Sequence, residues 1–287
     1  MKFTKMHGLG NDYVYINCFE EPLEGVDLPE LARRVSDRHF GIGGDGLILI
    51  MPSTVADFRM RVFNNDGSEA KNCGNGLRCV SKYVFDHGLT NQQSFSIETL
   101  GGIVHPQVKT GDDGKVALVT IDMGEPRLDC ADIPMVGQET QQFLEQPFVV
   151  DGRIFSMTCV SMGNPHAILF MDEVKGEDVH EFGPLIEHHA FFPERANVEF
   201  IKVQNPKEIQ FRVWERGSGE TLACGTGACA AAVAAILSGQ TEHSVTVHLL
   251  GGDLQIEWRE ADNRVYMTGA ATEVFSGVYT GEIPRLG

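Results

Sequence analysis

The sequence is poor in positive charge. It holds 23 Lys and Arg against 40 Asp and Glu, which gives a formal net charge of −17. Binding to the phosphates of a nucleic acid needs clustered Lys and Arg, so this deficit argues against such a partner. A substrate that carries carboxylates would have to find positive potential locally, at helix N-termini and at a well-placed Arg.

The sequence also lacks a long hydrophobic segment. Its longest fully apolar run covers residues 228–237, which is about half of a membrane span. The first residues, Met-Lys-Phe-Thr-Lys-Met-His-Gly, lack the apolar core of a signal peptide. We therefore expect no membrane partner and a soluble, cytoplasmic protein, long enough for two domains of ordinary size.

Paired cysteine motifs are missing as well. The chain has an odd number of cysteines, seven, and no Cys-x-x-Cys pair. This pattern excludes a disulfide framework and a zinc ribbon, and we expect neither a metal nor a cofactor. A single cysteine is most often a small buried apolar residue. We interpret five of the seven in this way: Cys18, Cys79, Cys130, Cys159 and Cys229.

The other two cysteines lie in one repeated setting. The first copy is Arg61-Val-Phe-Asn-Asn-Asp-Gly-Ser-Glu-Ala-Lys-Asn-Cys-Gly-Asn-Gly76, and the second is Arg212-Val-Trp-Glu-Arg-Gly-Ser-Gly-Glu-Thr-Leu-Ala-Cys-Gly-Thr-Gly227. They align without a gap, and six of the 16 positions are identical. The repeat predicts two thiols, Cys73 and Cys224, that act on one substrate.

Further repeats indicate two halves with one fold. Leu100-Gly-Gly102 recurs as Leu250-Gly-Gly252, and Gly10-Asn-Asp-Tyr13 corresponds to Gly163-Asn-Pro-His166. We predict an α/β protein, more narrowly α+β, in which each half is a mostly antiparallel, barrel-like sheet around a central helix. The first half would span 1–124, with the segment 270–287 returning to it, and the second half would span 125–269.

Each half is predicted to consist of strands and one prominent helix. The helices are predicted over 76–87 and 227–238, with Gly88 and Gly239 as their C-terminal stops. The strands are predicted at 14–16, 47–51, 58–63, 95–99, 116–121, 148–150, 167–170, 198–203, 210–214 and 254–258. The second helix is rich in Ala and apolar throughout, which is typical of a buried helix.

The spacing Cys-Gly-x-Gly at a helix start favours proton-transfer chemistry. A cysteine there lies at the positive end of the helix dipole, which favours the thiolate and lowers the pKa of the thiol. The glycines let the backbone approach a ligand, and first-turn N–H groups can hold a carboxylate. Two such helix N-termini would provide a base, an acid and two sets of N–H groups that can bind a carboxylate.

At these residues the sequence closely resembles the diaminopimelate epimerase family. The matching stretches follow the family's order over most of the chain: Lys5-Met-His-Gly-Leu-Gly-Asn-Asp-Tyr13, Phe63-Asn-Asn-Asp-Gly-Ser-Glu69, Cys73-Gly-Asn-Gly76, Gly163-Asn-Pro-His166, Pro193-Glu-Arg-Ala-Asn-Val198 and Trp214-Glu-Arg-Gly-Ser-Gly-Glu-Thr-Leu-Ala-Cys-Gly-Thr-Gly-Ala228. The resemblance implies two similar halves with the active site in the cleft between them. It also implies interconversion of LL- and meso-diaminopimelate without pyridoxal phosphate, in lysine and peptidoglycan-precursor synthesis.

The resemblance also implies residue roles. Cys73 and Cys224 would be the acid–base pair. Backbone N–H groups would hold the reacting carboxylate at Gly74, Asn75, Gly225 and Thr226. The rest of the substrate would contact Asn11, Asn64, Asn164, Asn197, Glu215 and Arg216. His166 and Glu215 would tune the thiols. One departure is Gly46, where some members carry a substrate-binding Gln, so that side-chain contact is missing here and backbone or water would have to replace it.

Other functions stay open at this stage. Proline racemases share the fold and use two cysteines, whereas isomerases of the phenazine-pathway type lack the cysteine pair. A thiol redox protein with a Cys73–Cys224 disulfide is a third alternative, although the sequence has no resolving Cys-x-x-Cys. The Glu215-Arg216 step and the four Asn residues favour a substrate with two amino-acid ends, namely diaminopimelate. We expect that small molecule as the partner, with a homodimer as the assembly to test.

Overall fold

The computed structural model describes residues 1–71, 73–136 and 141–286. The chain divides into two compact units. Unit 1 comprises Met1–Ile121 and the C-terminal segment that begins at Gly269, and unit 2 comprises Asp122–Thr268. Each unit is rich in strands and contains two helices among its described residues, so the predicted α+β class with two sheet-rich halves is confirmed.

The elements are numbered in chain order. Up to the end of the first half they are β1 (Lys2–Gly8), β2 (Asn11–Asn17), α1 (Leu28–Ser36), β3 (Gly46–Met51), β4 (Phe58–Asn64), β5 (Glu69–Ala70), α2 (Gly74–Asp86), β6 (Ile97–Thr99), β7 (Gly102–Val104), β8 (Gln107–Thr110) and β9 (Val116–Gly124). The remaining elements are β10 (Gln146–Val150), β11 (Arg153–Ser161), β12 (Pro165–Phe170), α3 (Gly176–Glu187), β13 (Asn197–Asn205), β14 (Glu208–Glu215), β15 (Gly219–Glu220), α4 (Gly225–Leu237), β16 (Ser244–Leu249), β17 (Gly252–Arg259), β18 (Arg264–Gly269) and β19 (Thr272–Val278).

The two units repeat one pattern of strand pairing. The sheet of unit 1 has the order β19-β1-β2-β3-β4-β6-β7, and β5 pairs with β4. Unit 2 contains the order β10-β11-β12-β13-β14-β16-β17-β18, and β15 pairs with β14. The parallel pairs fall at equivalent places, β2–β3 and β4–β6 in unit 1 and β12–β13 and β14–β16 in unit 2. The strand β19 therefore occupies in unit 1 the place that β10 occupies in unit 2.

The cysteine helices begin and end close to the predicted positions. Cys73 and Cys224 are the N-cap residues of α2 and α4, and both have extended backbone angles. Each helix stops just before a glycine with positive φ, Gly88 and Gly239, which is the conformation that a helix C-terminus favours. The apolar face of α2 and nearly the whole of α4 are buried.

Helix α4 is surrounded by strands. It contacts β11, β12, β13, β14, β16 and β17 of its own unit. Every residue from Ala228 to Ala235 is fully buried. Small side chains on all faces let the surrounding strands approach the helix closely, which explains the run of Ala. Among the described residues no helix has the length and apolarity to cross a membrane.

Each unit also contains a second helix that the sequence pattern did not single out. Helix α1 packs Leu31, Ala32 and Val35 into the core of unit 1. Helix α3 packs Val179, Phe182 and Ile186 into the core of unit 2. Helix α1 has nine residues, and α3 has a proline within it, so neither showed a long uninterrupted helical pattern in the sequence.

Helix α1 offers a test of local stability. The side chain of Asp27 caps α1 by accepting a hydrogen bond from the Glu30 N–H at 3.1 Å. Removing this acceptor in Asp27→Ala should lower the free energy of unfolding by about 1 kcal/mol, measured by urea denaturation. The control is Lys175→Ala, because Lys175 is the N-cap of α3 and makes no side-chain cap bond. Equal losses in the two variants would contradict this capping argument.

Candidate active site

The repeated segments fold in the same way up to each cysteine. In unit 1 the chain leaves β4, turns, and returns in β5, where Arg61 Nε donates to Glu69 Oε1 at 2.7 Å. In unit 2 the chain leaves β14 and returns in β15, where Arg212 Nε donates to Glu220 Oε1 at 2.7 Å. The identical Arg and Glu of the repeat thus form the same ion pair twice. Each Arg–Glu ion pair holds together the two strands on either side of the turn that precedes the cysteine.

In unit 1 the thiol of Cys73 is half-buried at the start of α2. The Gly76 N–H donates to Cys73 Sγ at 3.3 Å, and Sγ lies 3.8 Å from Asn11 Oδ1. Asn75 Nδ2 donates to the same Asn11 oxygen at 3.2 Å. The predicted residues Asn11, Cys73 and Asn75 are therefore in contact with one another.

A buried cation lies beside this group. Arg78, one turn into α2, is fully buried and donates from Nη2 to Asn75 Oδ1 at 2.8 Å. Its Nε donates to the Ala270 carbonyl at 3.2 Å. In a low-dielectric surrounding, a guanidinium this close to the helix start adds to the positive end of the α2 dipole. Arg78 therefore contributes positive charge near the start of α2.

Asn11 is held in place by an acidic residue. Its Nδ2 donates to Asp45 Oδ2 at 2.8 Å, and the same oxygen accepts the Asp12 N–H at 3.1 Å. This bond leaves Asn11 Oδ1 turned toward Cys73. Burial raises the pKa of the neighbouring Tyr13, and the charge of Cys73 raises it further, so Tyr13 is a neutral phenol next to the thiol.

Asn64 and Gly46 pair with each other across β4 and β3. Asn64 Nδ2 donates to Ser68 Oγ at 3.0 Å, so the structure engages it with its own turn rather than with the Asn11 group. A Cβ atom added to Gly46 would lie 2.1 Å from the Phe63 carbonyl oxygen and 2.7 Å from Tyr13 Cε1. The absence of a side chain at position 46 is therefore required by the backbone of β4.

In unit 2 the thiol of Cys224 is buried, and the expected lowering of its pKa is wrong. Burial raises the pKa of Cys224 well above its usual value, and the charges of Glu215 and Glu199 raise it further. The Thr226 hydroxyl and the Gly227 N–H lower it, but their effect is smaller. A helix N-terminus therefore does not outweigh the loss of water and two nearby carboxylates at this thiol.

A line of hydrogen bonds leads away from Cys224. Cys224 Sγ lies 3.6 Å from Thr226 Oγ1, which accepts from Asn164 Nδ2 at 3.3 Å. Asn164 Oδ1 lies 3.0 Å from His166 Nε2, and His166 Nδ1 lies 2.7 Å from Glu199 Oε1. His166 and Glu199 are both fully buried. The predicted residues Asn164, His166, Cys224 and Thr226 are thus joined in one network.

The Glu215-Arg216 step lies at the end of β14, where Glu215 is the last strand residue and Arg216 begins the turn. The Arg216 N–H donates to Asn197 Oδ1 at 3.0 Å, and Asn197 Nδ2 donates to the Pro165 carbonyl at 3.2 Å. Asn197 is buried and engaged at both ends of its amide, so here it fixes the Arg216 backbone. The Arg216 side chain is exposed, with one bond to the Glu194 carbonyl at 3.2 Å. Glu215 accepts a hydrogen bond from the Thr221 hydroxyl.

Three polar residues of these settings were missed by the sequence analysis. Asp45 orients Asn11, Arg78 lies beneath Cys73, and Glu199 holds His166. Asp45 follows a Gly-rich turn, which was a usable signal for a functional loop. Arg78 and Glu199 gave no such signal, because a charged residue inside an amphipathic helix or a strand is usually on the surface.

The comparison with known families agrees with these two settings. The family model described as diaminopimelate epimerase matches residues 3–128 and 158–274. The chain belongs to the diaminopimelate epimerase family. The diaminopimelate epimerase of Acetivibrio thermocellus is 57% identical over 277 residues, covering 96% of this chain and 98% of its own. That of Geobacillus thermodenitrificans is 56% identical over 279 residues, covering 96% of each chain.

Solved structures with the same fold are more distant in sequence. A phenazine biosynthesis protein of the PhzF family from Bacillus anthracis has a TM-score of 0.70 at 18% identity, over 96% of this chain and 98% of its own. A hydroxyproline epimerase from Agrobacterium vitis has a TM-score of 0.66 at 13% identity, over 97% and 91%. At such low identity these likenesses establish the fold and leave the activity to the closer relatives.

The space around Gly46 gives a direct prediction. Gly46→Gln, the residue of some family members, should destabilise unit 1 by about 1–3 kcal/mol or more, because its Cβ would overlap the Phe63 carbonyl. Thermal unfolding of the purified variant measures this loss. The control is Gly111→Ala, whose Cβ would meet its first neighbour, an exposed Asp113 oxygen, only at 3.3 Å. A Gly46→Gln protein as stable as the wild type would show that β4 moves aside at little cost.

Proposed function

We propose that this protein interconverts LL- and meso-diaminopimelate by moving the α-proton between two thiols, in lysine and peptidoglycan-precursor synthesis. Membership of the diaminopimelate epimerase family and relatives of that name support the activity. The observation that best supports the mechanism is that the same cysteine motif at a helix start occurs twice. Each unit has a cysteine as the N-cap of a helix, followed by Gly-x-Gly.

The proposed step balances with the two thiols alone. One sulfur, as a thiolate, takes the α-hydrogen as a proton and leaves the bonding electron pair on the α-carbon. The second sulfur, as a thiol, gives its proton to the opposite face of that carbon, which inverts the configuration. The first sulfur ends as a thiol and the second as a thiolate, so no oxidant, reductant or external base is consumed.

The helix starts supply the stabilisation that this step needs. Negative charge grows on the oxygens of the α-carboxylate as the carbanion forms. N–H groups in the first turn of a helix have no acceptor within the helix and point toward such an anion. We assign this role to backbone N–H groups at Gly74, Asn75, Gly225 and Thr226. Because the charge is larger in the transition state than in the substrate, these donors accelerate the reaction.

The remaining polar residues would hold the rest of the substrate. Arg216 is exposed, and a guanidinium can bind a carboxylate with two parallel hydrogen bonds. Glu215 suits the ammonium group of the same amino-acid end. Asn11, Asn64 and Asn164 would contribute amide hydrogen bonds, and Asn197 would act by fixing the backbone of Arg216. The difference between Arg216 and its counterpart Asn65 in the first copy suits a substrate with one reacting end and one held end.

The cellular setting and the assembly are part of the same proposal. A cytoplasmic location suits an enzyme whose relatives are bacterial biosynthetic enzymes. A homodimer is supported by strand β19, the terminal strand in the sheet order of unit 1. Its side chains Val274, Phe275 and Val278 are exposed, and an apolar edge strand favours pairing with a second copy.

The two-thiol mechanism predicts that each site cysteine is indispensable. Cys73→Ala and Cys224→Ala should each lower epimerisation of LL-diaminopimelate by at least about 10²–10⁴-fold, since each removes a proton carrier. Formation of meso-diaminopimelate in deuterium oxide, with deuterium at the α-carbon, is the measurement. Cys18→Ala is the control, because burial raises the pKa of Cys18 to about 12 and it stays a thiol. Wild-type turnover by either site variant would refute the mechanism.

A second prediction concerns the amino-acid end of the substrate that is bound but does not react. Arg216→Lys should lower kcat/KM by about 10–150-fold, since an ammonium cannot reproduce the paired hydrogen bonds and about 1.5–3 kcal/mol of binding to a charged group is lost. Steady-state kinetics on diaminopimelate decide this. Arg259→Lys is the matched control, because Arg259 is exposed and pairs with Glu257 at 3.0 Å. An unchanged kcat/KM in Arg216→Lys would remove this residue from the site.

A further inference from the structure

Glu199 is a buried carboxyl group that the mechanism above does not use. It lies on β13 with no exposed surface, and Oε1 is 2.7 Å from His166 Nδ1. Its second oxygen, Oε2, has no hydrogen-bond partner among the described residues. Burying a carboxyl in this way costs free energy, and such an exception in a well-packed interior calls for a functional reason.

The hydrogen bonds around His166 fix where its protons lie. Asn164 donates from Nδ2 to Thr226, so its Oδ1 faces His166 Nε2 as an acceptor. The Nε2 atom must then carry a hydrogen. One further proton is shared between His166 Nδ1 and Glu199 Oε1, because two acceptors cannot lie 2.7 Å apart without one. The carboxyl group thereby keeps His166 oriented with Nε2–H toward Asn164.

This orientation extends to the thiol. Because Thr226 Oγ1 accepts from Asn164, its own hydrogen is available for Cys224 Sγ at 3.6 Å. All donors from His166 onward therefore point toward the sulfur, and aligned hydrogen bonds of this kind reinforce one another. The network can receive a thiolate at Cys224 during turnover, although the resting group is held as a thiol.

Unit 1 provides a natural comparison. A Cβ atom on Gly227 would lie 2.7 Å from Glu199 Oε1 and 3.2 Å from Cys224 Sγ. A Cβ atom on the equivalent Gly76 would lie 2.7 Å from Ile48 Cδ1 and 3.3 Å from Cys73 Sγ. The space beside the sulfur is thus filled by the hydrocarbon side chain of Ile48 in unit 1 and by the carboxyl group of Glu199 in unit 2. The two units pack alike at this place but differ in having an ionisable group there.

The charged and titratable groups around this carboxyl come from four elements. They are Cys159 on β11, His166 on β12, Glu215 on β14 and Cys224 on α4. Burial raises the pKa of Glu199, and His166 opposes that rise. Burial also raises the pKa of Cys224, and Glu215 and Glu199 add to it. Glu199 and Glu215 thus place negative charge beside Cys224, whereas the groups near Cys73 carry both signs, with Arg78 at Asn75 and Asp45 at Asn11.

We propose that Glu199 is a positioning residue for the epimerisation. It touches no substrate but orients His166. The His166–Glu199 pair shares one proton and is neutral overall, but its carboxylate end lies against Cys224 and keeps the proton on that thiol in the free enzyme. This role rests on the proposed two-thiol function and adds to it a residue that acts on one thiol and not on the other.

The test replaces the carboxylate by a neutral group of the same shape. Glu199→Gln removes the carboxylate together with the shared proton, which leaves His166 neutral and no anion at position 199 against the sulfur. It should move the alkaline limb of the pH profile of kcat/KM to lower pH, by up to about one unit, because Cys224 gives up its proton more easily. The change must be equal for the LL and meso substrates, since the equilibrium between them is a property of the substrates alone. A purely structural role would lower the height of the profile and leave the limb in place.

A matched control separates charge from stability. Asp122→Asn removes the carboxylate that pairs with Arg264 at 2.7 Å in the same unit, so it should lower the unfolding temperature without moving the limb. If Glu199→Gln proves unstable, Glu199→Ile carries the residue of the equivalent position Ile48 and removes the same charge. It should then give the same shift.

A second readout does not depend on activity. A thiolate absorbs in the ultraviolet, so absorbance can be followed against pH. The difference between Glu199→Gln and Glu199→Gln/Cys224→Ala is the titration curve of Cys224 in the absence of Glu199. The difference between wild type and Cys224→Ala is the titration curve of Cys224 in the presence of Glu199. We expect Cys224 to lose its proton at lower pH when Glu199 is absent. Absence of epimerisation in the wild type would refute the proposed function and leave this titration to decide the role of Glu199. A folded Glu199→Gln protein with neither limb nor titration shifted would overturn the inference.

Discussion

The site of this protein depends on how a strand packs against the first turn of a helix. In each unit the residue three positions after the cysteine is glycine, and a Cβ there would lie 2.7 Å from the end of a side chain on the neighbouring strand, which would have to shift. In unit 1 that side chain is Ile48, and in unit 2 it is Glu199. The close contact places the sulfur against the strand, beside the helix N-terminus. The second glycine of the motif Cys-Gly-x-Gly therefore serves packing as well as chemistry.

Much of the fold was predictable from the sequence because its signals are local or duplicated. The gapless repeat predicted two similar halves, and the repeated strand pairings and N-cap cysteines agree with it. The helices α2 and α4 begin two residues before their predicted starts, since their caps and glycine stops are strong local signals. The helices α1 and α3 were not singled out, because α1 is short and both contain a proline, although each packs its apolar residues into the core of its unit.

The electrostatics of the site were less predictable because they depend on contacts that are distant in sequence. The dipole argument treated Cys73 and Cys224 alike, and for Cys224 it gave the wrong direction of the pKa change. The groups that decide the outcome are Glu199 and Glu215, and each lies on a strand that packs around α4. A charged residue at a strand position does not reveal in the sequence alone that it faces a thiol.

The difference between the two halves has a physical reason in the reaction itself. Turnover needs exactly one proton on the pair of thiols, so that a base and an acid exist together. If two independent thiols had the same pKa, at most about half of the molecules would carry a single proton, and only near that pH. Separating the two proton affinities lets the singly protonated form dominate over a broad pH range, as in other acid–base pairs. Glu199 lies beside Cys224, whereas Ile48 fills the equivalent place beside Cys73, and this is a divergence of the kind that a duplicated fold needs for this chemistry.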